Sequence, residues 1–112
     1  PADFEKRMLA DIQMPREIAM RHRPPHFLHV FAGSGYAAGY YSYMWSEVLD
    51  ADAFQAFLDQ DDIFVPETAD KLYRYVYAAG GTRRGRDAYI AFRGQLPSVD
   101  GLLRQRGLAD AA

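Results

Sequence analysis

The chain has 112 residues, 49% of them hydrophobic and 25% charged, which fits one ordinary domain or part of a larger one and excludes a disordered chain. A formal net charge of −2 provides no field to draw the protein to nucleic acid or to an anionic membrane, so neither is expected as a partner. Cysteine is absent, which removes disulfides, thiolate metal sites and cysteine nucleophiles; with no apolar run near the ~18 residues of a membrane span and no signal-peptide core at the N-terminus, a cytoplasmic location is expected.

In chain order, Asp3 to Leu9 reads as a short helix with Phe4, Met8 and Leu9 as a weak apolar stripe. A second helical run is expected from Met14 to about Arg21, with Pro15 suited to its first turn. It must end before Pro24-Pro25, because proline removes a donor and pushes its predecessor out of the α region. His26 to Phe31 resumes an apolar run, and Gly33-Ser34-Gly35 breaks it as a mobile loop.

From about Tyr36 to Leu58 the spacing predicts one long helix. At 100° per residue Tyr36, Tyr40, Tyr43 and Glu47 share one face, while Tyr41, Trp45 and Val48 lie broadly opposite, Tyr41 as packing. Two aromatic faces are more than a small domain buries, which places this helix inside something larger. Pro66-Glu67-Thr68 starts another helix that Gly80-Gly81 stops. A brief helix runs from Asp87 to Phe92 and closes at Gly94. Ser98 caps a last one, which ends at Gly107, before a frayed Ala-Asp-Ala-Ala tail. No segment alternates with a strand period, so the fold class is all-α.

His22 and His26 have the i, i+4 spacing of two metal ligands, but Pro24 and Pro25 interrupt any helix between them. The glutamate of a His-Glu-x-x-His helix is missing, and zinc needs three or four convergent ligands, so no metal site is expected on this chain. The Gly33-Ser34-Gly35 loop lacks the lysine of a phosphate cradle, and Ser34 lacks a Gly-x-Ser-x-Gly elbow. Arg83-Arg84-Gly85-Arg86 reads as solvated surface. The notable feature is the run His29 to Trp45, which sets a histidine, a glycine loop and four of the eight tyrosines close together. A stripe of tyrosines is most often core. Here Ala37, Ala38, Gly39 and Ser42 alternate with them, so a ligand can approach the backbone, and neutral phenols can donate hydrogen bonds to it.

The segments Met20-Arg-His-Arg-Pro-Pro-His-Phe27, His29 to Tyr43, Met44 to Phe54, Tyr77-Ala-Ala-Gly-Gly81, Ala91-Phe-Arg-Gly94 and Leu102 to Leu108 resemble the C-terminal end of the thimet oligopeptidase and peptidyl-dipeptidase family of zinc metallopeptidases. The likeness looks closest to the bacterial peptidyl-dipeptidase branch. It implies the C-terminal helical segment of a larger, mainly helical catalytic domain, with residues 1–112 forming that segment and the zinc ligands and general base lying in the remainder of the domain. The implied substrates are short peptides and the implied cofactor is zinc in the parent enzyme, with none held by this chain. By the same resemblance, Tyr43 and Tyr40 are catalytic hydrogen-bond donors to the peptide carbonyl. His29 and Tyr36 bind the substrate backbone, and the loop of Gly33 and Gly35 closes over it. The chain alone is expected to be inactive. The alternative is a non-enzymatic peptide-binding or structural helical module.

Overall fold

Prolines and left-handed residues divide this chain into short helices, and each boundary has a local cause. The computed structural model describes residues 1–109, so the expected frayed tail lies outside the described residues apart from Ala109. Among the described residues there is no strand, and the fold is all-α. The chain divides into two units, Pro1–Tyr40 and Tyr41–Ala112.

In the first unit, α1 spans Ala2–Asp11. It ends where Gln13 adopts φ 58°, with Gln13 N–H donating to the Ala10 carbonyl (3.0 Å) and Met14 N–H to that of Leu9 (2.9 Å). This is a Schellman closure made by glutamine instead of glycine. The helix expected from Met14 to Arg21 does not form; only the turn from Pro15 to Ile18 is present. A stretch of about two turns bounded by Pro24-Pro25 gains too few hydrogen bonds to offset its nucleation cost. A 3₁₀ turn at Pro24–His26 leads into the single-turn helix α2, Leu28–Phe31, and Arg23 pairs with Glu5 at 3.1 Å.

In the second unit, α3 spans Ser42–Leu58, α4 Pro66–Leu72, α5 Gly85–Arg93 and α6 Asp100–Gln105. The long helix therefore begins six residues later than its spacing predicted. Ala38 takes φ 54°, a left-handed conformation that a right-handed helix cannot pass through, and residues 36–41 form turns. Beyond α4 the backbone widens into a π turn over Tyr73–Tyr77, with Ala78 N–H donating to the Tyr73 carbonyl at 2.7 Å. α5 closes on Gly94 at φ 81°, whose N–H reaches the Ile90 carbonyl at 2.7 Å. α6 closes on Gly107 at φ 66° through a second Schellman pair, Gly107 to Arg104 (3.0 Å) and Leu108 to Leu103 (2.8 Å). Ser98, expected to cap α6, lies one residue ahead of the actual N-cap, Val99, and its Oγ accepts the Asp100 N–H at 3.1 Å.

α5 and α6 meet α3 on one of its turns. Ala51 and Asp52 are buried, with Ala88, Phe92 and Leu102 around them. Asp52 Oδ1 accepts the Ser98 N–H at 3.0 Å and Oδ2 accepts the Tyr89 phenol at 2.5 Å. Arg93 Nε lies 3.4 Å from Oδ2 and donates to the Asp52 carbonyl at 3.1 Å, while its Nη2 reaches Asp59 at 3.4 Å. A carboxylate that is 4% exposed is tolerable only with such partners, because an unpaired buried charge costs several kcal/mol. On the other side of that turn α6 comes close: a Cβ added to Gly101 would stand 3.0 Å from the Ala51 carbonyl oxygen and 3.1 Å from its carbon.

Two expectations follow. Gly101→Ala should destabilise the fold by about 1–3 kcal/mol, since backbone and not a flexible side chain must yield; chemical denaturation reads it. Burial and the neighbouring Asp52 push the Tyr89 phenol above its ordinary value of 10. Above pH 10 the unfolded chain ionises this tyrosine while the folded one retains its proton, so stability should fall as pH rises. Denaturation midpoints from pH 9 to 11 should show a steeper loss in the native protein than in Tyr89→Phe.

Candidate functional site

The turns that replace the start of the long helix gather part of the predicted site within the first unit. Ala37 N–H donates to the Ser34 carbonyl (3.2 Å) and Gly39 N–H to that of Tyr36 (3.1 Å). These two consecutive turns follow α2 and bring Tyr36 and Tyr40 back to His29. The His29 and Tyr36 rings lie 4.4 Å apart at 35°. Tyr40 meets Tyr36 edge-on at 5.6 Å and His29 at 6.2 Å. Phe27 continues the series, 4.9 Å from Tyr40 in a T-shaped pair, and His22 stacks on Phe27 at 4.8 Å. Pairs of this geometry contribute about 0.5–1.5 kcal/mol each beyond simple burial. The cluster presents phenols and an imidazole together, which suits it to hydrogen-bond a polar backbone against an aromatic floor.

Tyr43 belongs to the second unit, on the first turn of α3, and is 57% exposed. The shared helical face predicted for Tyr36, Tyr40 and Tyr43 is not formed, since the first two precede the helix. Tyr41, expected to pack, is 71% exposed. Glu47, grouped with the tyrosines by its spacing, is held by Arg106 Nη2 at 2.6 Å and 2.7 Å. Gly33 and Gly35 border the ring cluster in sequence, and a Cβ at either would meet nothing within 4 Å.

His22, weighed above as a metal ligand with His26, stacks on Phe27. Among the described residues no group of three or more His, Cys, Asp or Glu could hold a metal ion. No helix of the described residues is long and apolar enough to cross a membrane. The sequence reading missed a cavity of about 580 Å³ in the second unit, lined by Trp45, Leu49, Leu72, Val76, Phe92 and Leu96 among others. Helical periodicity in α4 and α5 indicated apolar faces but not that they leave a space between them.

A family model described as Peptidase family M3 matches residues 2–108. The chain belongs to this family. Oligopeptidase A of Haemophilus influenzae is 46% identical over 87 residues, covering 77% of this chain and 12% of the relative. Probable cytosolic oligopeptidase A of Arabidopsis thaliana is 51% identical over 89 residues, 77% of this chain and 13% of the relative. Dipeptidyl carboxypeptidase of Salmonella typhimurium is 36% identical over 109 residues, 96% of this chain and 16% of the relative. Identity is thus higher toward oligopeptidase A, while the dipeptidyl carboxypeptidase aligns over more of the chain. This M3 chain spans only about an eighth of the length of such relatives.

Neither Gly33 nor Gly35 has a left-handed φ, and both have open space around them. Gly33→Ala and Gly35→Ala should therefore fold normally and be as stable as the native chain or up to about 1 kcal/mol more so. Thermal melts check this. A clear loss of stability would show that the loop needs glycine for its folded shape and not for its freedom to move.

Proposed function

We propose that residues 1–112 are the substrate-facing, C-terminal part of the catalytic domain of a zinc-dependent oligopeptidase or peptidyl-dipeptidase acting on short peptides. The observation that carries this reading is the ring cluster of His29, Tyr36 and Tyr40 beside an open glycine loop, in a chain of a peptidase family. In this reading His29 and Tyr36 hydrogen-bond the backbone of an extended peptide, while the aromatic edges exclude water from it. The Gly33–Gly35 loop closes over the bound chain. Tyr43, assisted by Tyr40, donates its phenolic proton in a hydrogen bond to the carbonyl oxygen of the scissile peptide as negative charge develops there. A donor poised in advance at that atom lowers the barrier because it need not reorganise.

The described residues do not fit a zinc site. The metal of the parent enzyme and its general base would be held by the remainder of the catalytic domain, and this chain alone would be inactive. A cytoplasmic location belongs to the same reading, supported by the cytosolic relative, although another relative from the same plant is named chloroplastic/mitochondrial.

In the complete enzyme, Tyr43→Phe should lower kcat by on the order of 10²–10³ with KM and the melting temperature little changed. An unaltered kcat would remove the role given to Tyr43. Peptide affinity of the 112-residue chain, independent of added zinc, would instead favour a binding module.

A further inference from the structure

We propose that Asp52 is a positioning residue for Tyr43, an inference that rests on the role given to Tyr43 above. The two residues share α3, an uninterrupted helix of 17 residues. They are nine positions apart, so at 100° and 1.5 Å per residue they lie about 180° around the axis and about 13 Å along it. Asp52 faces inward and is 4% exposed, whereas Tyr43 projects outward from the first turn. The inward face is held at one point from three directions. Tyr89 and Arg93 of α5 bond the Asp52 side chain and carbonyl; Ser98 N–H, ahead of α6, bonds Oδ1; and Gly101 of α6 brings its backbone against Ala51.

This arrangement fixes rotation as well as location. Apolar contacts alone let a helix roll, because they are non-directional. Hydrogen bonds to both carboxylate oxygens do not, because each partner lies in a set direction. A phenol about 6 Å from the helix axis moves by about 2 Å for every 20° of roll. Misplacement by 1 Å can cost on the order of 100-fold in rate. α3 has no side-chain cap at its N-terminus; Arg106 and Arg104 also reach it at Glu47 and Gln55, but the Asp52 turn is its buried point and is bonded from both α5 and the segment ahead of α6.

The test is a double-variant cycle on kcat and KM in the complete enzyme, with a short peptide as substrate. Asp52→Asn keeps the shape but removes the charge and one acceptor. It should lower kcat at least 10-fold with KM nearly unchanged, and in the Tyr43→Phe background it should lower kcat by no more than about twofold. Should Asp52→Asn fail to fold, Tyr89→Phe, which keeps the ring and loses only the donor to Oδ2, takes its place in the same cycle. Effects that multiply fully in the double variant would overturn the positioning role while leaving Tyr43 catalytic. An unchanged kcat in both the Asp52→Asn and the Tyr89→Phe single variants would overturn it too. If Tyr43→Phe alone left kcat unchanged, the role of Tyr43 would fall and this proposal with it.

Discussion

The second unit depends on one buried charge. Asp52 draws a phenol, a guanidinium and a backbone N–H onto a single turn of α3, and α5 and α6 are arranged around those bonds. Among the described residues the buried apolar ones are few, two of them alanines: Ala51, Ala88, Phe92 and Leu102. Packing that sparse specifies helix positions loosely, so directional bonds take over the task. An apolar replacement for Asp52 would take from Arg93, Tyr89 and the Ser98 N–H the acceptor they share, which is why the charge is costly to remove despite being costly to bury.

The first unit solves the same problem by other means. α1 buries no residue, and order around residues 22–40 rests on rings set edge to face and face to face, from His22 through Phe27 and Tyr40 to Tyr36 and His29. Aromatic pairs hold shape through the set geometry of their rings. Rigid rings gathered in one place are what the proposed peptide-binding role asks for.

Helix ends marked by glycine or proline were legible in the sequence. Gly94 and Gly107 stop their helices because each adopts the left-handed conformation, and Pro66 opens α4 because its missing donor costs nothing there. Gln13 and Ala38 were not legible, since neither residue type advertises a positive φ, and Ala38 is what ends the predicted helix face of tyrosines. Tyr36 and Tyr40 still meet His29, but through turns. Their assignment came from the family resemblance, and the wheel geometry offered for it was wrong. Asp52 could not be singled out, because a lone aspartate on a helix looks solvent-facing until α5 and the segment ahead of α6 are folded against it. The 580 Å³ cavity was hidden for a related reason, being a gap between elements and not a property of any one of them.

The π turn at Tyr73–Tyr77 bears on how this fold can change over generations. It is one residue wider than the α-helix around it, so the ladder of hydrogen bonds there has absorbed an extra amino acid without breaking. Losing a residue from this stretch would restore the ordinary helical pitch there and turn the side chains within it by up to about 100°. Val76 and Tyr77, which line the cavity, would be carried with it. Chain length at this one point is therefore coupled to the lining of the cavity. A single-codon deletion here would reshape that hollow as thoroughly as several substitutions within it.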